Sequence, residues 1–206
     1  MNVAPLLKRI QGGDWQAFEV LVEQYSGKAL RTAYLITGRK DIIEDAVQEA
    51  FVQCYRKIKC LRDPATFETW FYRLLTRICW RLTSREKGTV SLDSLTESGQ
   101  EHALCDDRIG DALEAGETKR LVQQALGRLS IPLRTTVVLR YYNDLPLKEI
   151  ARVLGCREGT VKSRLHTALK QLADELKLIA PELFLGGEAD AQRAIHPGKE
   201  GLQSEA

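Results

Sequence analysis

The stretch that decides the fold is Leu145-Pro-Leu-Lys-Glu-Ile-Ala-Arg-Val-Leu-Gly-Cys-Arg-Glu-Gly-Thr-Val-Lys-Ser-Arg-Leu-His166. Pro146 suits a helix start, where its fixed φ is already helical and its missing N–H costs nothing. Ile150 and Leu154 share a core-facing side, and Ala151 is small enough to let a second helix cross closely. Gly155 permits the left-handed turn that ends the first helix. Thr160 and Val161 open the next one, which buries Val161, Leu165, Ala168 and Leu172 at helical spacing. Its outward side offers Arg157, Lys162, Ser163, Arg164, His166, Thr167 and Lys170, with Thr160 at its start. Hydroxyl and cationic groups on one face can reach base edges and phosphates in a major groove. The pattern predicts a helix-turn-helix whose second helix reads DNA. An α-hairpin used only for packing has no need of the basic outer face.

Outward from this motif, charge divides the 206-residue chain into four blocks. Residues 119–178, which hold the motif, carry 12 Lys and Arg against 5 Asp and Glu, net +7. Residues 1–88 carry 15 against 10, net +5. Between them, 89–118 carry 1 against 8, net −7, in a run rich in Ser, Thr and Gly. That composition predicts a flexible acidic linker, with at most a helical turn near Asp111 to Ala115. Residues 179–206 carry 2 against 5 and contain Pro181, Gly186-Gly187 and Pro197-Gly198, as expected of a disordered tail. Two basic modules on an anionic tether suit a protein that touches a polyanion at two separated places.

The first module, 14–88, is also helical by periodicity. Asp14 is a good N-cap, with Phe18, Leu21, Val22 and Tyr25 at i, i+3, i+4, i+7 behind it. A second helix is predicted from about Lys28 to Thr37, ending at Gly38. A third starts near Asp41 and puts Ile43, Val47, Ala50, Cys54 and Ile58 on one stripe. After the break around Pro64, a fourth carries Phe67, Phe71, Leu74, Ile78 and Leu82 inward. No segment alternates with period 2, and Val137-Val138-Leu139 is too short to overrule its surroundings. The fold class is all-α, with two small helical domains.

Two faces of this module carry chemistry. Asp45, Gln48 and Glu49 lie opposite the buried stripe, an acidic face that suits a protein partner bearing Arg or Lys, or simply solvent. Arg73, Arg77, Arg81 and Arg85 recur every fourth residue beside Trp70, Tyr72 and Trp80. Arginine with aromatics is equipment for following a single-stranded backbone and stacking unpaired bases.

Composition removes other classes. With 44% hydrophobic residues the chain has material for a core. No run approaches 18 apolar residues, and Met1 to Gly13 lacks the apolar segment of a secretory signal, so a soluble cytoplasmic protein is expected. The five cysteines, Cys54, Cys60, Cys79, Cys105 and Cys156, form no C-x-x-C pair. They read as reduced small hydrophobes. His102, His166 and His196 are too dispersed for a ligand set. No Gly-rich phosphate loop, metal set or nucleophile-base spacing is present, so neither enzyme nor cofactor nor metal is expected.

Three segments taken together resemble the extracytoplasmic-function (ECF) sigma factors of the sigma-70 family. Asp45-x-x-Gln48-Glu49-x-Phe51 is similar to the family's core-polymerase-binding motif in region 2. Phe67-Glu-Thr-Trp70-Phe-Tyr-Arg73 is similar to the start of its helix for the minus-ten element. Gly159-Thr-Val-Lys-Ser-Arg-Leu165 is similar to its region 4 recognition helix for the minus-thirty-five element. The resemblance covers about 14–88 and 120–178.

It implies that Asp45, Gln48, Glu49 and Phe51 dock on the coiled coil of the largest subunit of core RNA polymerase. It also implies that Lys59, Arg62, Trp70, Arg73, Arg77 and Arg81 serve the minus-ten element, the loop Lys59 to Thr66 capturing a flipped base of the melted strand. Arg157, Thr160, Lys162, Ser163, Arg164, His166 and Lys170 would read the upstream duplex, and the linker would thread toward the polymerase active-site channel. A partner anti-sigma factor is implied as well, and no catalytic residue. Arg77 and Arg81 stand where many relatives carry Asn or Asp, and Thr167 where Arg is frequent, so the minus-ten preference is this chain's own. A stand-alone helix-turn-helix regulator accounts equally well for 119–178. It leaves the Asp45 face and the Arg ridge without a purpose.

Overall fold

Asp14 starts the longest helix of the N-terminal module by accepting the Ala17 N–H at 3.1 Å. That bond, together with Arg9 at 2.9 Å, holds the Asp14 carboxyl below the usual carboxylate range. The computed structural model describes residues 3–85 and 113–181, and every regular element among them is helical. The N-terminal module contains α1 (Ala4–Gln11), α2 (Trp15–Thr37), α3 (Ile43–Lys57) and α4 (Phe67–Arg85). Two 3-10 turns, Ile58–Cys60 and Pro64–Thr66, join α3 to α4. The C-terminal module contains α5 (Leu113–Arg128), α6 (Ile131–Val137), α7 (Leu147–Leu154) and α8 (Glu158–Ile179). Val138–Tyr142 continues α6 as a π-helical turn, so the β-branched run there is helical.

Three local expectations change. The predicted pair of helices before Gly38 is one, α2, which runs unbroken through Gly27. A glycine costs a helix about 1 kcal/mol, and the burial of Leu21 on one side of it and Ala29, Ala33 and Ile36 on the other outweighs that. Helix α1 lies ahead of the predicted module start, with Pro5 in its first turn and Leu7 and Ile10 buried against the bundle. Helix α5 begins at Leu113, inside the stretch read as linker. Residues 89–112 and the tail beyond Pro181 lie outside the described residues.

Gly38 closes α2 in the left-handed region at φ 70°. Phe18, Phe51, Phe67 and Phe71 form the aromatic centre under α2, α3 and α4, with Phe51 and Phe71 at 5.0 Å. Helix α4 buries more than one stripe. Phe67, Phe71, Leu75, Ile78 and Cys79 are buried, while Leu74 and Leu82 are only half-buried. The reason is tertiary: α4 packs on α2 and α3 and also on α7 of the other module.

The two modules therefore share one continuous core rather than standing apart. Polar contacts stitch the seam. Thr69 Oγ1 donates to Glu149 Oε2 at 2.7 Å, and Trp80 Nε1 donates to Thr135 Oγ1 at 3.0 Å. Asn143 Nδ2 donates to Thr32 Oγ1 at 2.9 Å, with both residues buried. Arg134, also buried, donates through Nη2 to the carbonyls of Gly127 at 2.6 Å and Leu129 at 3.0 Å, where α5 ends. Its Nη1 reaches Ile36 O across the seam at 3.4 Å.

Candidate functional site

The helix-turn-helix forms as its residues demand. Pro146 sits at the N-cap of α7, and Gly155 ends that helix in the left-handed region at φ 67°. The Cys156 N–H returns to Ala151 O at 3.1 Å, closing the turn. Ile150 and Val153 are buried, Leu154 half-buried, and α7 packs on α8. Helix α8 buries Val161, Leu165 and Ala168, and half-buries Leu172. Its other side exposes Arg157, Lys162, Ser163, His166, Thr167 and Lys170, with Thr160 and Arg164 half-exposed. Ser163 Oγ donates to Thr160 O at 3.0 Å, and Lys162 Nζ lies 3.8 Å from Glu158. Of the seven residues expected to read DNA, six lie on α8 and Arg157 is its N-cap; five are exposed, and Thr160 and Arg164 are half-exposed.

The second surface is a groove of about 450 Å³ between α2 and α3. Phe18, Val22, Leu30, Val47 and Phe51 form its apolar walls, and Gln48, Val52 and Tyr55 border it from α3. Trp15 on α2 is 52% exposed at its edge, meeting Tyr55 edge to face at 5.1 Å. Asp45 and Gln48 are exposed on α3, as expected of a docking face. Phe51 is not exposed with them. It is 6% exposed and belongs to the groove floor and core, because i+3 from Gln48 turns it under α2 and α4. The sequence pattern missed Trp15, Val52 and Tyr55, the exposed large hydrophobic residues that line this groove.

The third surface runs along the 58–66 connection and α4. Lys59 and Arg62 are exposed on the connection, and Arg73 and Arg77 on α4. Arg81 is exposed too, but its guanidinium pairs with Glu49 of α3. One residue expected to meet DNA and one expected to meet polymerase thus neutralise each other. Trp70 is half-buried, its ring centroid 6.2 Å from that of Phe67. Tyr72 cannot stack a base, contrary to what its place beside the arginines suggests. It is 1% exposed, enclosed between the modules, and burial pushes its hydroxyl pKa upward. Trp80 is likewise engaged, by Thr135.

Among the described residues no cluster of three His, Cys, Asp or Glu could hold a metal ion, and no helix is long and apolar enough to cross a membrane. Burial pushes the thiols of Cys54 and Cys79 up to about 12.

Comparison with known proteins matches these modules separately. Residues 21–88 fit the family model for sigma-70 region 2, and residues 119–172 the model for sigma-70 region 4. The ECF RNA polymerase sigma-E factor of Haemophilus influenzae is 30% identical over 178 residues, covering 84% of this chain and 94% of that one. The RNA polymerase sigma-H factor of Pseudomonas aeruginosa is 31% identical over 183 residues, with coverage of 86% and 95%. ECF sigma factor SigW of Bacillus subtilis is 28% identical over 183 residues, covering 86% and 98%. Among solved structures, CnrH in complex with the cytosolic domain of CnrY shares the fold with a TM-score of 0.63 at 20% identity, covering 85% of this chain and 97% of that one. RpoE of Bartonella quintana, solved with the anti-sigma factor NepR, shares it with a TM-score of 0.60 at 22% identity, covering 79% and 98%. The basic outer side of α8, the apolar groove between α2 and α3 and these matches along both modules have one explanation: the chain belongs to the ECF sigma factors of the sigma-70 family, which direct RNA polymerase to promoters for transcription initiation.

Proposed function

We propose that this sigma factor docks on core polymerase through the α2–α3 groove, with Asp45 and Gln48 beside it, and holds the promoter at two places. The single observation that carries the docking assignment is the groove itself. Trp15, Val52 and Tyr55 leave a large apolar patch exposed next to charge-bearing α3 positions, the anatomy of an interface centre with a polar rim. Helix α8 reads the upstream element as duplex through Lys162, Ser163, Arg164 and His166, while Arg157, Thr160 and Lys170 serve phosphates and register. The 58–66 connection, with Lys59 and Arg62, captures an unpaired base of the downstream element, and Arg73 and Arg77 follow the strand. Binding a state that only open DNA can occupy drives strand opening without ATP. The polymerase performs the chemistry, so this chain needs no catalytic residue or cofactor, and its place of work is the bacterial cytoplasm.

An anti-sigma factor is a further partner of this reading, supported by RpoE having been solved with one. A stand-alone regulator is disfavoured because the curated relatives match through both modules. The test is run-off transcription on genomic promoter fragments with core polymerase. The wild-type chain is expected to create new start sites, and Asp45→Ala with Gln48→Ala to weaken core binding while leaving the fold intact. Unchanged core affinity in that double variant overturns the docking assignment.

A further inference from the structure

Gln11, the last residue of α1, reaches across to the connection between α3 and α4. Its Nε2 donates one N–H to Ile58 O at 3.0 Å and the other to Leu61 O at 2.8 Å, across 47 and 50 residues of sequence. Both protons of one amide are thus spent on two backbone carbonyls three residues apart. Ile58 O also accepts the Leu61 N–H at 3.1 Å, so the 3-10 turn closes on the same atom that Gln11 holds. Leu61 then departs in extended conformation, ψ 105°, and carries Arg62 and Asp63 out to solvent. On the far side Asp63 accepts the Ala65 N–H at 3.0 Å and begins the next turn. Between these two anchors Lys59, Cys60, Arg62 and Asp63 are all exposed, whereas Ile58 and Leu61 are buried.

The strut that carries Gln11 is itself fixed. Leu7 and Ile10 are buried in the N-terminal bundle, and Arg9 ties α1 to Asp14 at the start of α2. The first residues of α1 border Pro64, Ala65 and Thr66, so α1 runs along the connection from end to end. The connection's own hydrogen bonds lie within its two turns, Leu61 N–H to Ile58 O and the Ala65 and Thr66 N–H groups to Asp63, so Gln11 holds the Leu61 carbonyl at the junction between them. Selective capture of a base needs one backbone state there.

We propose that Gln11 is a positioning residue for downstream promoter recognition: its two hydrogen bonds to the Ile58 and Leu61 carbonyls fix the backbone that presents the base-capturing residues. It never touches DNA. The proposal rests on the assignment of the 58–66 connection to base capture, and the experiment separates the two.

Holoenzyme is reconstituted with core polymerase and wild-type chain, Gln11→Met or Gln11→Glu. Methionine keeps the length and bulk without a donor, and glutamate keeps the shape with acceptors only. Each holoenzyme selects from fork-junction DNAs randomised through the upstream duplex and the single-stranded non-template segment, and the bound pool is sequenced. Losing both bonds is expected to lower the preference for the favoured base at one single-stranded position by about five- to tenfold. Upstream duplex preference and core affinity are expected to stay within about twofold. A role in packing alone leaves Gln11→Met silent, and an unchanged downstream preference in both variants overturns the proposal. Lys59→Ala and Arg62→Ala are the parallel arm: if they alter that preference while Gln11 variants do not, base capture stands and the positioning role falls. If none of the four alters it, base capture by the connection falls, and the proposal with it.

Discussion

Replacing Arg134 by methionine tests whether a buried cation without a carboxylate can hold helix ends together. Arg134 is 5% exposed, and burial alone pushes its pKa from 12.5 down to about 10. At about 1.4 kcal/mol per tenfold, keeping it charged there costs on the order of 3 kcal/mol. Against that stand donations to Gly127 O at 2.6 Å and Leu129 O at 3.0 Å, and a longer one to Ile36 O at 3.4 Å. Hydrogen bonds from a charged donor contribute about 1.5–3 kcal/mol each, and a buried carbonyl stripped of its partner costs about 1–3 kcal/mol. Methionine relieves the charge penalty and preserves much of the packing volume, but leaves the Gly127 and Leu129 carbonyls without this donor. The expected net loss is about 2–4 kcal/mol. Urea unfolding of the full chain, followed by circular dichroism and tryptophan fluorescence, measures it as a lower midpoint at unchanged slope. Arg134→Lys, with a single ammonium in place of a fork, is expected to recover only part. A loss below about 0.5 kcal/mol for Arg134→Met refutes the reasoning, because the desolvation cost would then cancel everything the guanidinium donates.

Other outcomes follow from the surfaces. Arg73→Ala and Arg77→Ala are each expected to lower the slope of log affinity against log salt by roughly 0.7–0.9 for holoenzyme on promoter DNA. Arg81→Ala is expected to lower it less, because Glu49 already neutralises that guanidinium, and to change stability by only about 0–1 kcal/mol. Equal slope changes for all three arginines would mean that the pair opens on DNA. Lys162→Ala and Arg164→Ala are each expected to weaken upstream-element binding by about 1–3 kcal/mol, with core affinity unchanged in a direct binding assay. Ellman's reagent at pH 8 is expected to label exposed Cys60 promptly and to leave Cys54 and Cys79 unlabelled until the chain unfolds, since burial raises both thiols to about 12 and so suppresses their thiolate. Prompt labelling of Cys54 or Cys79 in the folded chain would contradict the packed N-terminal core.

Elements whose signals are local can be read directly from the amino-acid sequence. Gly155 at φ 67° ends α7, Gly38 at φ 70° ends α2, and Asp14 caps α2, each at the residue whose chemistry requires it. The stripes Val47, Ala50, Cys54 on α3 and Val161, Leu165, Ala168 on α8 are buried as their spacing demands. Helix α1 and the continuity of α2 through Gly27 are not legible in this way. A short helix and a mid-helix glycine are decided by what packs on them, and that partner lies elsewhere in the chain.

The candidate site divides along the same line. The exposed basic face of α8 follows from helical periodicity, because the residues opposite it are apolar. Helical periodicity assigns a side chain to a face but does not say what covers that face. Tyr72 sits on a side of α4 that sequence alone leaves open and that Asn143, from the other module, helps to close. Arg81 meets Glu49 across 32 residues, and Gln11 meets Ile58 and Leu61 across about 50. By itself, then, the sequence determined the helices of both modules, a basic outer side on α8 and an acidic α3 face, since hydrophobic spacing and turn chemistry act within a few residues. Only the tertiary structure decided that the two modules share a core, which aromatic residues remain free, and which polar groups are already committed to one another. Those outcomes depend on surfaces brought together from distant segments, and side-chain spacing along one helix carries no information about them.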